Sequence, residues 1–187
     1  LATTLSLWGE NELPLIQEIK AGGAFAPATD MAWNNMLGNW KRGIAFPNEM
    51  PKDERRRITG GENLYFQTCV TCHGPEGKGL NVPGTDQLLA PSLVDSARVK
   101  GKPSQLIPIF LHGLTGPIDG KTYQAGFMAP AAAFGITRDD RLAELISYIR
   151  FVHGERASSV SKEEVTKVRK QHGDREAAWT DLELREL

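Results

Sequence analysis

Cys69-Val70-Thr71-Cys72-His73 spaces two thiols three positions apart and sets an imidazole directly after the second. On one helical turn, thiols so spaced share a face and reach the two vinyl groups of a single porphyrin. The adjacent imidazole is then available to the iron as an axial ligand. Cys-x-x-Cys-His is thus the pattern of covalent haem attachment. These are the only two cysteines in the chain, so no further thiol offers a rival disulfide or a four-cysteine zinc site. A redox-active Cys-x-x-Cys pair would call for a strand-helix context and gives His73 no role.

A second axial ligand must come from elsewhere. Met128 lies in Gly126-Phe127-Met128-Ala129-Pro130, a loop of small residues and proline ahead of a well-marked helix, where a thioether can approach iron. Met128 reads equally well as a core filler. Met31, Met36 and Met50 all precede the attachment motif in a region with no comparable loop. For a bis-imidazole site the candidates are His112, His153 and His172, of which His112, in Leu111-His112-Gly113-Leu114-Thr115-Gly116, is the strongest.

Local patterning supplies helices on both sides. Thr59 and Glu62 make a capping-box pair, which places a helix start there. Ile58, Gly61, Tyr65, Thr68 and Cys72 follow on one face. Gly61 is costly inside a helix unless another backbone comes close. Thr137 and Asp140 are the capping residues expected for a second helix, whose stripe is Leu142, Leu145, Ile146, Ile149 and Val152, with Gly154 as its stop. A third helix is expected from Ser161, capped by the Ser161/Glu164 pair, with Val160, Val165 and Val168 to bury. Trp179 and Leu182 are expected to tie the tail back. Upstream, Leu13, Leu15, Ile16 and Ile19 suggest a short helix, and Trp33, Met36, Leu37 and Trp40 recur at helical spacing. Pro47 and Pro51 bound a turn.

Taken together, these segments resemble the class I, mono-haem cytochromes c over residues 59–154. Thr59 to Thr68 matches the family's first helix, with Gly61 and Tyr65 at the crossing positions. Cys69 to Gly74 matches the attachment motif, and Leu142 to His153 the closing helix, whose Tyr148 and Ile149 should meet Gly61 and Tyr65. The resemblance implies that Ala90-Pro91-Ser92-Leu93 supplies a proline carbonyl to Nδ1 of His73, and that Met128 is the distal ligand. It implies an all-α fold around one covalent haem c, with Cys69, Cys72, His73, Pro91 and Met128 binding the cofactor and His73 and Met128 holding the iron. The stretch from Leu106 to Gly126 is richer in glycine than a minimal member needs, which keeps His112 in play.

Three regions follow: an N-terminal extension over 1–58 packed on the core, the haem domain over 59–154, and a mostly helical or irregular C-terminal extension over 155–187. The tail, ending Ala178-Trp179-Thr180-Asp181-Leu182-Glu183-Leu184, more loosely resembles the close of haem domains at the C-terminal end of large exported bacterial dehydrogenase-like proteins.

The 187 residues carry 22 Lys+Arg against 23 Asp+Glu, a formal net charge of −1, which gives no electrostatic case for nucleic acid. The one basic cluster, Arg55-Arg56-Arg57, sits beside Asp53 and Glu54 and reads as a solvated helix start or the fringe of a partner contact. No apolar run is long enough to cross a bilayer. Leu1 to Leu5 lack the charged start of a signal peptide, yet the family acquires its haem outside the cytoplasm. A periplasmic or otherwise extracytoplasmic mature chain, or a piece of a longer exported one, is therefore expected. Glu62-Asn63-Leu64-Tyr65-Phe66-Gln67 coincides with a viral protease recognition sequence, but its phase with the first helix marks it as native.

The expected function is electron transfer rather than turnover, with redox proteins as partners, among them a larger dehydrogenase or respiratory complex. The alternative is a haem enzyme or sensor, peroxidase-like or gas-binding, with an open or displaceable distal site and His112 beside the iron.

Overall fold

The computed structural model describes residues 44–187. The expected helix near Leu13 and the Trp33–Trp40 pattern lie outside the described residues. So do Met31 and Met36.

The chain is mostly helical. Helix α1 (Lys52–Thr68) is followed after Cys69 by the single turn α2 (Val70–His73). The backbone carries on almost unbroken, because Cys69 N–H donates to Tyr65 O at 2.8 Å and His73 N–H to Cys69 O at 2.9 Å. Helix α1 begins seven residues before Thr59, behind Pro51, with no side-chain cap. The Thr59/Glu62 pair is therefore helix interior, and the position 58/59 falls inside a continuous helix. Asp53 and Glu54 in the first turn complement the helix dipole where a capping box was expected. Ahead of it, Met50 N–H donates to Pro47 O at 3.1 Å, closing the expected turn. Arg55 spans that turn, donating to the carbonyls of Pro47, Asn48 and Met50. Within the protease-like hexapeptide Leu64, Tyr65 and Phe66 are buried.

Helices α3 (Ala97–Lys100) and α4 (Pro103–His112) lead to a three-stranded ribbon of β1 (Leu114–Thr115), β2 (Phe127–Met128) and, from the far C-terminus, β3 (Trp179–Thr180). The strand order is β2-β1-β3, with β1 antiparallel to β2 and parallel to β3. A 3₁₀ turn (Ala131–Phe134) precedes α5 (Asp139–Val152). Then come α6 (Lys162–His172) and the short α7 (Asp181–Arg185).

The core is the crossing of α1 and α5. A Cβ built on Gly61 would lie 2.0 Å from Glu144 O and 2.6 Å from the Cβ of Tyr148, so only glycine permits this approach. Next to it the rings of Tyr65 and Tyr148 stand 5.4 Å apart. The expected stripe of α5 is buried except for half-buried Val152, but burial extends round the helix to Ser147 and Arg150. Its start carries no side-chain cap: Arg138 occupies the N-cap position, not Thr137.

Both buried polar residues of α5 hold the chain that follows. Ser147 Oγ donates to Val160 O and accepts from Val160 N–H. Arg150, 2% exposed, donates to Val99 O, Gly101 O and Ser158 O at 2.7–2.8 Å. The capping box of Ser161 and Glu164 forms as expected, and Val160, Val165 and Val168 are buried. In the tail Trp179 is buried, but Leu182 is 70% exposed and Leu184 goes inside instead. A helical α7 begins at Asp181, and its phase exchanges the two leucines.

Candidate functional site

Helix α4, the ribbon, the 3₁₀ turn, α2 and the Leu89-Ala90-Pro91 segment enclose a cavity of about 380 Å³. Cys69, Cys72 and His73 lie on one part of its lining, Pro91 beside them, and Met128 on the ribbon. The rest is mostly aliphatic, aromatic or small: Phe110, Leu114 and Leu145 from the core, and Gly116, Pro117, Ile118, Ala125 and Gly126 from the β1–β2 loop. Among the described residues no Asp, Glu, Lys or Arg lines it, and His73 is its only imidazole.

Each expected site residue has a local reason for its place. Gly74, at φ 74°, ends the attachment turn, and its carbonyl accepts a hydrogen bond from Tyr65 Oη at 2.6 Å. The chain then loops back, with Gly79 N–H on His73 O and Leu80 N–H on Cys72 O. Gly77 O accepts Leu93 N–H at 2.6 Å, which fixes the Pro91 segment against the motif. Nδ1 of His73 lies 3.0 Å from Pro91 O, and with the proton on Nδ1 it donates to that carbonyl. This tautomer presents Nε2 as the lone-pair atom. Burial lowers the pKa of His73, and the bond to Pro91 offsets that only in part. The imidazole is accordingly neutral, as a metal ligand must be. Burial pushes the Cys69 thiol up to about 11, despite its contact with Thr68 Oγ1 at 3.3 Å. Both cysteines are unpaired, and neither forms a disulfide.

Met128 sits on β2 opposite Leu114. A Cβ on Gly113 would lie 2.5 Å from Met128 O, so the backbone of the ribbon rests directly on the end of α4. That glycine, at φ 87°, also caps α4 through its N–H to Ile109 O. Gly116, Gly120 and Gly126 turn the intervening loop, all at positive φ. The glycine content that kept His112 in play thus belongs to turns.

The other histidines lie elsewhere. His112 does not line the cavity. Burial lowers its pKa, and the charges of Arg175, His172 and Arg169 add to that, against the raising effect of the Arg175 backbone. His153 packs on Tyr65, ring centroids 5.0 Å apart, and His172 stands edge-on to Trp179 at 5.1 Å.

These residues fit a covalently held haem. Two unpaired thiols and a neutral, carbonyl-anchored imidazole share an apolar cavity with a thioether, and uncharged walls suit a porphyrin plane. Cys69 and Cys72 would carry it, and His73 and Met128 are the available iron ligands. Sequence reading missed the part played by the β1–β2 loop and by Phe127 and Phe134, which line the cavity while remaining 65% and 53% exposed. Two-residue strands leave no periodicity to detect.

A family model described as Cytochrome c matches residues 58–152, about half of the chain. No curated protein matches it.

Proposed function

The chain belongs to the cytochrome c family, whose domain carries a covalently bound haem and transfers electrons, and from that we propose a closed site with the iron held between His73 and Met128. The single observation that carries this reading is that one cavity collects both thiols, a neutral imidazole and Met128 within walls free of charged side chains. The haem supplies the one-electron couple between ferrous and ferric iron.

The protein's own residues do the rest. Pro91 O orients His73 and raises its basicity as a ligand. Phe110, Leu114 and Leu145 keep water from the interior of the site. A dry apolar wall with no shifting charges limits the reorganisation that accompanies electron transfer. Residues 59–154, with the part of α1 that runs back to Lys52, form the haem domain, and the remainder of 1–58 and 155–187 are extensions. Redox proteins are the partners, met through small transient interfaces. The chain acts as a carrier or as the electron-accepting module of a redox complex, outside the cytoplasm. None of the described helices is long and apolar enough to cross a membrane.

Carbon monoxide added to the reduced protein tests the closed site. The parent spectrum should stay unchanged on mixing, whereas Met128→Ala takes up the gas at once. Uptake by the parent as fast as by the variant overturns the reading.

A further inference from the structure

The C-terminal extension ends on the elements that carry Met128. Strand β3 pairs with β1 through Leu114↔Trp179 and Thr115↔Thr180, while β1 pairs on its other side through Leu114↔Met128 and Thr115↔Phe127. Trp179 N–H donates to Gly113 O at 3.0 Å, and Gly113 is the residue against which Met128 O is packed. Without β3, the β1–β2 pair is two residues on each side, too little to hold itself in water.

The strand is locked in turn. Arg175 stacks on the Trp179 ring with its guanidinium carbon 3.8 Å from the centroid, and bonds both carboxylate oxygens of Glu183 at 2.9 and 3.0 Å. Glu183 also closes the capping box on Thr180. On the far side, buried Asp181 accepts from Arg98 and from Arg185, the latter at 2.8 and 3.1 Å. Arg185 continues to Asp119 Oδ1 at 2.7 Å, and Asp119 N–H points to Asp181 Oδ2 at 3.4 Å. Asp119, at φ 50°, is in the turn of the β1–β2 loop, whose neighbours Pro117 and Ile118 wall the cavity.

We propose that residues Arg175–Arg185 position Met128: strand β3 backs the ribbon, and the Asp181/Arg185 pair clamps the loop at Asp119, so that the thioether is held toward the iron. This rests on Met128 being the distal ligand. A ligand on a surface ribbon departs by local opening, and the frequency of opening is set by what holds that ribbon.

Exogenous imidazole binding to the oxidised holoprotein reads the open state, and denaturant midpoints are recorded alongside. Asp181→Asn should bind imidazole about tenfold more tightly than the parent, because the charge at the centre of a buried hydrogen-bond network is lost. Val165→Ala, buried in α6 outside the cavity lining and outside the Arg175–Arg185 network, should lower the midpoint without changing imidazole affinity. An unchanged affinity in Asp181→Asn overturns the proposal. An equal rise in Val165→Ala at equal midpoint loss also overturns it, since softening of the whole fold would then suffice. If Asp181→Asn does not accumulate as holoprotein, exposed Arg185→Gln replaces it, with about a threefold rise expected for a solvated pair. No rise there overturns the proposal. The parent's sulfur-to-iron band separates the two readings: present with an unchanged Asp181→Asn, it leaves Met128 as ligand and rejects the clamp. Its absence rejects the ligand assignment and the clamp with it.

Discussion

Gly61 on α1 and Glu144 on α5 meet backbone to backbone: a methyl group at Gly61 would stand 2.0 Å from the Glu144 carbonyl oxygen. Gly61→Ala therefore sets a helix-propensity gain of about 1 kcal/mol against an overlap that only separation of the helices can relieve. The overlap wins, because main chain cannot swing aside as a flexible side chain can. A net loss of about 2–3 kcal/mol is expected from chemical denaturation. A variant as stable as the parent would show that the crossing is looser than described.

Arg150 is the buried charge of the closing helix, and its partners are carbonyls rather than a carboxylate. Its role is to fasten the Val99–Gly101 turn and the Ser158 linker to α5. Arg150→Met keeps the apolar stem and leaves those carbonyls unsatisfied, at a cost of about 3 kcal/mol. Denaturant midpoints measure this, and a loss below about 1 kcal/mol would mean that water replaces the guanidinium there.

Glu183 carries the acid sensitivity of the tail. Its backbone bond to Thr180, then Arg175 and the Thr180 hydroxyl, hold its pKa down from 4.5 to about 2. The fold favours the ionised form, so this contribution is complete above the unfolded value of 4.5 and is lost as pH falls toward 2. Other carboxylates titrate in the same direction, Asp139 among them through Thr166 and Arg169 against the opposing effect of burial. The informative quantity is the difference between parent and Glu183→Gln. Their midpoints should differ most above pH 4.5 and converge toward pH 2. A difference independent of pH contradicts the assignment.

Cys69 and Cys72 should each contribute one covalent bond to the haem. The denatured parent should retain one haem by intact mass, each single Cys→Ala variant should retain it through the remaining bond when assembled, and the double variant should release it. Release from the denatured parent would contradict attachment.

What the sequence disclosed follows from the range of the forces involved. The attachment motif, the α1 face with Gly61, the α5 stripe and the Ser161 capping box are local patterns, and each lies where local chemistry puts it. Helix starts were legible only where the cap is itself a local hydrogen bond. Thr59/Glu62 had the right residues inside a helix that packing extends back to Lys52. The ribbon was illegible, since Trp179 reaches Leu114 across the fold through strands of two residues. Arg150 carried no signal in the sequence because the carbonyls that accept from it lie around Val99 and Ser158, outside its own helix.

Absorption of the oxidised protein at long wavelength tests the central claim most directly, that Met128 closes the site opposite His73. A weak sulfur-to-iron charge-transfer band should be present in the parent and in His112→Ala and absent from Met128→Ala. Persistence of that band in Met128→Ala would contradict it.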